Sequence, residues 1–357
     1  MTSPRTVLTA PPAAAEILAR CRELVAPALA EAIDGLHPWV AEMAGYALGR
    51  CEVGGAPATH RQPATHRQGK GVRQALAVLG AEAAGGSAEA GVPGAVAVEL
   101  LHTFSLLHDD IMDGDAMRRG RPAVWKAYGT GPAVLAGDAL FALAVETLTV
   151  APATSQAAAA VRQLTRASRD LVRGQADDLL FAHRPWSGPD AVSAGEYEAM
   201  AEHKTGALLG CALALGAGLA GAPRETAAAL DRAGRHLGVA FQIADDLLGI
   251  WGDPAVTGKP VHGDLRNGKK TLPVLAALAA PGRSALAELL ASAAVLDDGA
   301  VRRAATLIER AGGRSAALGA ARRHLTAADT LLTEASLAPR PATDLRTLLS
   351  SLAHRTI

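Results

Sequence analysis

His108-Asp109-Asp110-Ile111-Met112-Asp113 ends a mostly apolar run, Val98 to Leu107, with three carboxylates in five residues. Run and carboxylates read together as one helix, on which Asp109 and Asp113, at i and i+4, leave the same face one turn apart. Unpaired anions that close repel and raise each other's pKa. A hard divalent cation relieves that repulsion, magnesium with a phosphate-bearing substrate being the usual case. Five residues on stand Arg118 and Arg119, whose planar forks match phosphate oxygens. Acids for a metal beside cations for phosphate point to a diphosphate site. By itself the stretch also admits a blander reading, a solvated acidic helix end, and the rest of the chain has to decide.

The 357 residues are long enough for one large domain or two ordinary ones. Lys plus Arg equal Asp plus Glu at 35 each, so the charge implies neither nucleic acid nor an anionic membrane as partner. Cys21, Cys51 and Cys211 are scattered without a CxxC pair, which argues against a zinc site or disulfide framework and fits a reducing cytoplasm. The N-terminus lacks the apolar core of a secretion signal. Thr205 to Pro223 runs nineteen residues without a charge, roughly the length of a bilayer span. Its Ala and Gly content favours a close-packed core helix, so no transmembrane segment is expected.

Residues 1–13 are expected to be a disordered tail, and residues 14–357 one domain. Gly54 to Gly69 reads as a flexible loop with a tandem repeat, Pro57-Ala58-Thr59-His60-Arg61-Gln62 and Pro63-Ala64-Thr65-His66-Arg67-Gln68. A tolerated surface duplication is favoured there over a basic loop that visits the anionic site. Ala14–Ile33 and Pro38–Leu48 have helical period. So do Val72–Ala84, Val92–Asp113, Ala133–Val150, Ser155–Phe181, Ala191–Leu219, Arg224–Trp251 and five more segments between Leu272 and Ala353. No strand-like runs bounded by hairpin turns are evident. The pattern predicts an all-α fold, a single-domain irregular helical bundle whose polar residues project into a deep central cavity.

A second acidic centre lies at Gln242-Ile243-Ala244-Asp245-Asp246, followed by Gly258-Lys259 and by Asp264, Lys269 and Lys270; His203-Lys204-Thr205 sets a cation beside a hydroxyl. Taken singly, each reads as well as ordinary helix surface or loop. In order along the chain, the set resembles the trans-isoprenyl diphosphate synthase (polyprenyl synthetase) family. The resemblance covers about Gly69 to Pro273. It rests on Gly69-Lys70 with Arg73, Glu99 to His102, the first acidic stretch, Arg118 to Pro122, Gly174-Gln175 with Asp178, Lys204-Thr205, Gln242 with Asp245-Asp246, and Gly258-Lys259 with Asp264 and Lys269.

The resemblance implies an isoprenoid synthase fold, a homodimer, and a magnesium-dependent prenyltransferase that joins isopentenyl diphosphate to an allylic diphosphate. Three Mg2+ ions are implied, two on Asp109 and Asp113 with Asp110 in support, and one on Asp245 beside Asp246. Arg118, Lys204, Lys259 and Lys269 would clamp the allylic diphosphate. Lys70, Arg73, His102 and Arg119 would hold isopentenyl diphosphate. Thr205, Gln242 and a carbonyl near Lys204 would face the allylic cation. A non-catalytic partner subunit of a heteromeric synthase, and a terpene cyclase, are the competing functions. The cyclase would need a different second metal motif and no isopentenyl diphosphate site.

The chain departs from the family pattern at Gly71, at Gln74 and, above all, at Gly249, where the second acidic motif commonly ends in Asp. That glycine removes a carboxylate at i+4 from Asp245. Phe104 lies five residues before Asp109, about 7 Å deeper along a helix, and is expected to floor the product pocket, with small Ser105 beside it. A single aromatic at that depth resembles geranylgeranyl synthases. A geranylgeranyl product is therefore expected, with farnesyl second.

Overall fold

The computed structural model describes residues 12–58, 71–149, 154–252, 262–282, 284–292 and 295–353. Lys70, Lys259, residues 1–11 and the repeat beyond Ala58 lie outside them. The chain is helical almost throughout. The described α-helices up to Trp251 are α1 (Pro12–Asp34), α2 (Pro38–Ala47), α3 (Val72–Ala83), α4 (Val92–Met112), α5 (Val124–Tyr128), α6 (Thr130–Thr147), α7 (Thr154–His183), α8 (Ala194–Ala201), α9 (Ala207–Leu219) and α10 (Arg224–Trp251). Further helices follow, beginning with α11 (Gly263–Arg266) and α12 (Leu272–Ala279), and ending with Gly313–Glu334 and Pro339–Ala353.

The reason for this order is visible in α10. Leu230, Ala233, Gly234, Leu237, Gly238 and later Ile243, Ala244, Leu247 and Ile250 are buried, an i, i+3, i+4, i+7 stripe that only a helix presents to one side. α9 differs in kind. Every residue from Ala207 to Ala217 is buried, so it is the central helix, wrapped by α3, α7 and α10. The uncharged segment is thus core from Thr205 to Ala217. Ala88–Met112 is the one candidate, among the described residues, that is long and apolar enough to cross a membrane, and 67% of its apolar window is buried.

Two features depart from the periodicity. The predicted Ala191–Leu219 helix is divided. Ser193 starts α8 with a reciprocal capping box, its hydroxyl accepting from Glu196 N and its own N–H donating to the Glu196 carboxylate. One π-helical turn, Glu202–Gly206, then separates α8 from α9. A small hairpin also appears where none was read. β1 (Met117–Arg118) and β2 (Arg121–Pro122) pair antiparallel around Arg119-Gly120, whose φ values are +52° and +74°. Positive φ at both central residues is the two-residue turn whose twist matches paired strands. Two-residue strands carry too little alternation to be legible.

Candidate active site

Four glycines set the centre of the site. A Cβ on Gly234 would lie 2.6 Å from Gly210 Cα, and one on Gly238 would fall 2.6 Å from Gly206 N. α9 and α10 therefore touch backbone to backbone, as only paired glycines permit. That approach joins Thr205, in the π turn that leads into α9, to Gln242 on α10: the Thr205 hydroxyl donates to Gln242 Oε1 at 2.7 Å. On the opposite side Gly174 of α7 packs against the π turn, a built Cβ there falling 2.7 Å from Lys204 Cα and 2.8 Å from His203 C. π turns inside helices recur at functional sites because the extra residue re-aims side chains. Here the turn carries Lys204 and Thr205 into the cavity.

The cavity has a volume of about 470 Å³, and its wall includes Arg73, His102, Ser105, Asp109, Arg118, Arg119, Gln175, Lys204, Thr205, Gln242 and Asp245. The structure thus brings together residues spread over 173 positions of the chain, from Arg73 to Asp245. Asp109 and Asp245 face it from different helices. Burial raises the Asp109 carboxyl to about 6, with Lys204 opposing and Asp113 adding to the shift. Such a group is poised to gain from a cation.

Asp110 and Asp246, counted with the metal carboxylates in sequence, are engaged by protein donors. Asp110 is 3% exposed and accepts from Arg118 Nε at 2.6 Å, so it holds the hairpin's guanidinium in place. Asp246 is buried under three donors: the Tyr197 hydroxyl, Gln242 Nε2 at 3.2 Å and Leu272 N at 3.2 Å. Burial lifts its carboxyl to about 7 against those hydrogen bonds. Both are i+1 from the residue that faces the cavity, and one residue turns a helix by roughly 100°. Of the two acidic pairs, Asp109 and Asp245 are the members that line the cavity.

These are hard oxygen donors, the type magnesium takes. Among the described residues no group of three or more His, Cys, Asp or Glu could hold a metal ion. Magnesium is usually held by one or two carboxylates and completed by waters and substrate phosphate oxygens.

The cationic side is built for an anion. Arg73 Nη1 meets His102 Nε2 at 3.1 Å, while the buried Arg73 Nε has no partner. Burial pulls the Arg73 guanidinium down to about 10, with Glu99 opposing and Arg119 adding to it. Burial and then the Arg73, Arg119 and Arg118 charges hold the His102 imidazole well below its usual value. Glu99, 6% exposed, lies beneath as the counter-charge to Arg73 and Arg119, a role the sequence left unassigned. Lys204 Nζ is 2.5 Å from Asp178 Oδ2. Desolvation pulls the Lys269 ammonium down, but Asp264, Asp113 and Asp178 more than offset it, which puts Lys269 in the field of both acidic arms.

Phe104 does not line this cavity; Ser105 does. The Phe104 ring centroid is 4.7 Å from that of His108 and 5.5 Å from that of Phe141 on α6. The expected depth ignored azimuth: five residues back is about 140° around the helix from Asp109, four residues back about 40°.

Gly249 is also reinterpreted. A Cβ built there would enter the Asp264 carboxylate, 2.7 Å from its Cγ. The space vacated by the missing side chain is occupied by a carboxylate from α11. The i+4 glycine was the signal, but its filler lies fifteen residues on.

Known proteins share this sequence pattern and fold. The profile of a family described as polyprenyl synthetase matches residues 59–308. The chain is 44% identical over 325 residues to the geranylgeranyl diphosphate synthase of Mycobacterium tuberculosis, covering 90% of each. It is 42% identical over 344 residues to that organism's (2E,6E)-farnesyl diphosphate synthase, covering 95% of this chain and 92% of the other. A crystal structure of polyprenyl synthetase from Streptomyces coelicolor A3(2) superposes with TM-score 0.86 at 46% identity, covering 94% of this chain and 98% of that one. The chain belongs to the polyprenyl synthetase family of trans-isoprenyl diphosphate synthases and is a prenyltransferase.

Proposed function

We propose that this prenyltransferase extends an allylic diphosphate with isopentenyl diphosphate to the twenty-carbon geranylgeranyl diphosphate. The observation that favours a product longer than fifteen carbons is the wall one turn below Asp109. It holds Ser105, with the ring of Phe104 turned away toward Phe141. An apolar chain can grow past a serine where a ring would stop it. The farnesyl product is the second reading, favoured by the 42% identity to a farnesyl synthase.

In this reading Asp109, Asp113 and Asp245 hold magnesium, which supplies charge neutralisation for the departing diphosphate. Arg118, Lys204 and Lys269 orient the allylic diphosphate. Arg73, His102 and Arg119 hold isopentenyl diphosphate in register, and positioning two substrates can supply a large part of the acceleration. The allylic carbon–oxygen bond breaks with its electron pair on the diphosphate, the isopentenyl double bond attacks the resulting cation, and a proton leaves to the released diphosphate. Thr205 keeps its oxygen lone pairs available because its proton is donated to Gln242.

Incubation with magnesium, isopentenyl diphosphate and farnesyl diphosphate should yield geranylgeranyl diphosphate by chromatography. Extension that stops at fifteen carbons from geranyl diphosphate selects the farnesyl reading, and no extension of any allylic substrate removes both. Ser105→Phe should shift the product toward fifteen carbons or fewer. Phe104→Ala should change it less, and the opposite ranking would overturn the Ser105 assignment.

A further inference from the structure

Gln175 has no place in the chemistry above, yet it is 5% exposed, lines the cavity, and neither its amide oxygen nor its amide nitrogen has a hydrogen-bond partner. A buried polar atom left unpaired destabilises the fold, and natural interiors carry few of them. Two on one side chain, aimed into a substrate cavity, mark a group whose partners arrive with the ligand.

The level of Gln175 in the cavity identifies those partners. On α7, Leu171, Gln175 and Asp178 follow at i, i+4 and i+7 along one face. Leu171 is apolar and lines the cavity, whereas Asp178 holds Lys204 at the level of the charges. α10 repeats the order, with Phe241, then Gln242, then Asp245, all on the wall. On both helices an amide separates the apolar depth from the charged mouth. That boundary is where an allylic diphosphate changes from hydrocarbon to phosphate. Gln242 is already engaged, its oxygen accepting from Thr205 and its nitrogen donating to Asp246. The Gln175 amide is unengaged at both ends.

We propose, resting on the synthase reading above, that Gln175 is a catalytic residue that straddles the breaking allylic carbon–oxygen bond. Its carbonyl oxygen faces the developing allylic cation and its NH2 donates to the departing diphosphate oxygen. The bond's electron pair leaves with the diphosphate, and the amide gives up neither electrons nor a proton. It stabilises both halves of the ion pair more than the neutral ground state, which is the condition for raising kcat. An amide suits the position because it is electron-rich at oxygen yet too weak a nucleophile to trap the cation.

The test is Gln175→Leu, which keeps the volume and removes both polar atoms. Expected are kcat lower by about 10- to 100-fold, the range for one preorganised dipole at a reacting centre, and KM for both diphosphates within about twofold. The fall should be larger for an allylic substrate carrying an electron-withdrawing fluorine beside the reacting carbon. The melting temperature should be equal or higher, since two unpaired atoms are gone. Gln175→Asn, with a shorter amide, should recover part of kcat. A variant with wild-type kcat overturns the role. So does a lowered melting temperature with the same rate loss for plain and fluorinated substrates, the signature of a packing residue. If the wild-type protein itself extends no allylic diphosphate, the synthase reading falls and this one with it. Wild-type extension with an indifferent Gln175→Leu variant overturns Gln175 alone.

Discussion

Gly174→Ala is expected to lower turnover by about 100-fold or more, the loss that a displacement of about 1 Å at a reacting centre can produce. The added methyl has nowhere to go. It meets the backbone of the π turn, 2.7 Å from Lys204 Cα and 2.8 Å from His203 C, and backbone cannot rotate aside as a side chain can. α7 and the turn must separate, taking Lys204 and Thr205 with them. Overpacking of this kind destabilises by about 1–3 kcal/mol, so thermal unfolding should report the same variant. Gly195→Ala is the control, because nothing lies within 4 Å of a Cβ there. It should leave both turnover and melting temperature near wild type. Wild-type turnover in Gly174→Ala would mean that the π turn does not position the site.

Gly249→Asp is expected to reduce activity, although by motif it restores a familiar carboxylate. The new side chain would have to occupy the volume of the Asp264 carboxylate, and two carboxylates forced together repel and raise each other's pKa. A loss of about 1–3 kcal/mol in stability follows from the overpacking, with turnover falling by about tenfold or more as α10 and Asp245 shift. The pair Gly249→Asp with Asp264→Gly should recover most of both losses, since it moves one carboxylate rather than adding one. Steady-state turnover across a magnesium titration, with thermal unfolding of all three variants, checks this. A gain in turnover from Gly249→Asp alone would show that the natural site is short of a carboxylate after all.

The helices and the list of reactive residues were legible because both are local. The α10 bounds, Arg224–Trp251, follow from a stripe of apolar positions one turn apart. Asp109, Asp113, Arg118, Lys204 and Asp245 announced themselves by residue type and order, and they do belong to one region. Local pattern alone does not say which member of each acidic pair faces the cavity; the family resemblance picks Asp109 and Asp245, and the structure supplies the physical reason. Asp109 and Asp110 differ by one step, and the hairpin's Arg118, bonded to Asp110, tells them apart. Tyr197 and Leu272 do the same for Asp246.

The sequence by itself determined the all-α architecture, through periodicity, and the chemistry class, through a family resemblance carried by the order of its short motifs. Tertiary structure alone decided that Ser105 rather than Phe104 lines the cavity, that Asp264 fills the space above Gly249, and that Gln175 is buried without partners. Each of these depends on azimuth around a helix or on the packing of elements far apart in the chain. A one-residue turn of about 100°, or a backbone contact between glycines, leaves no trace in local sequence pattern.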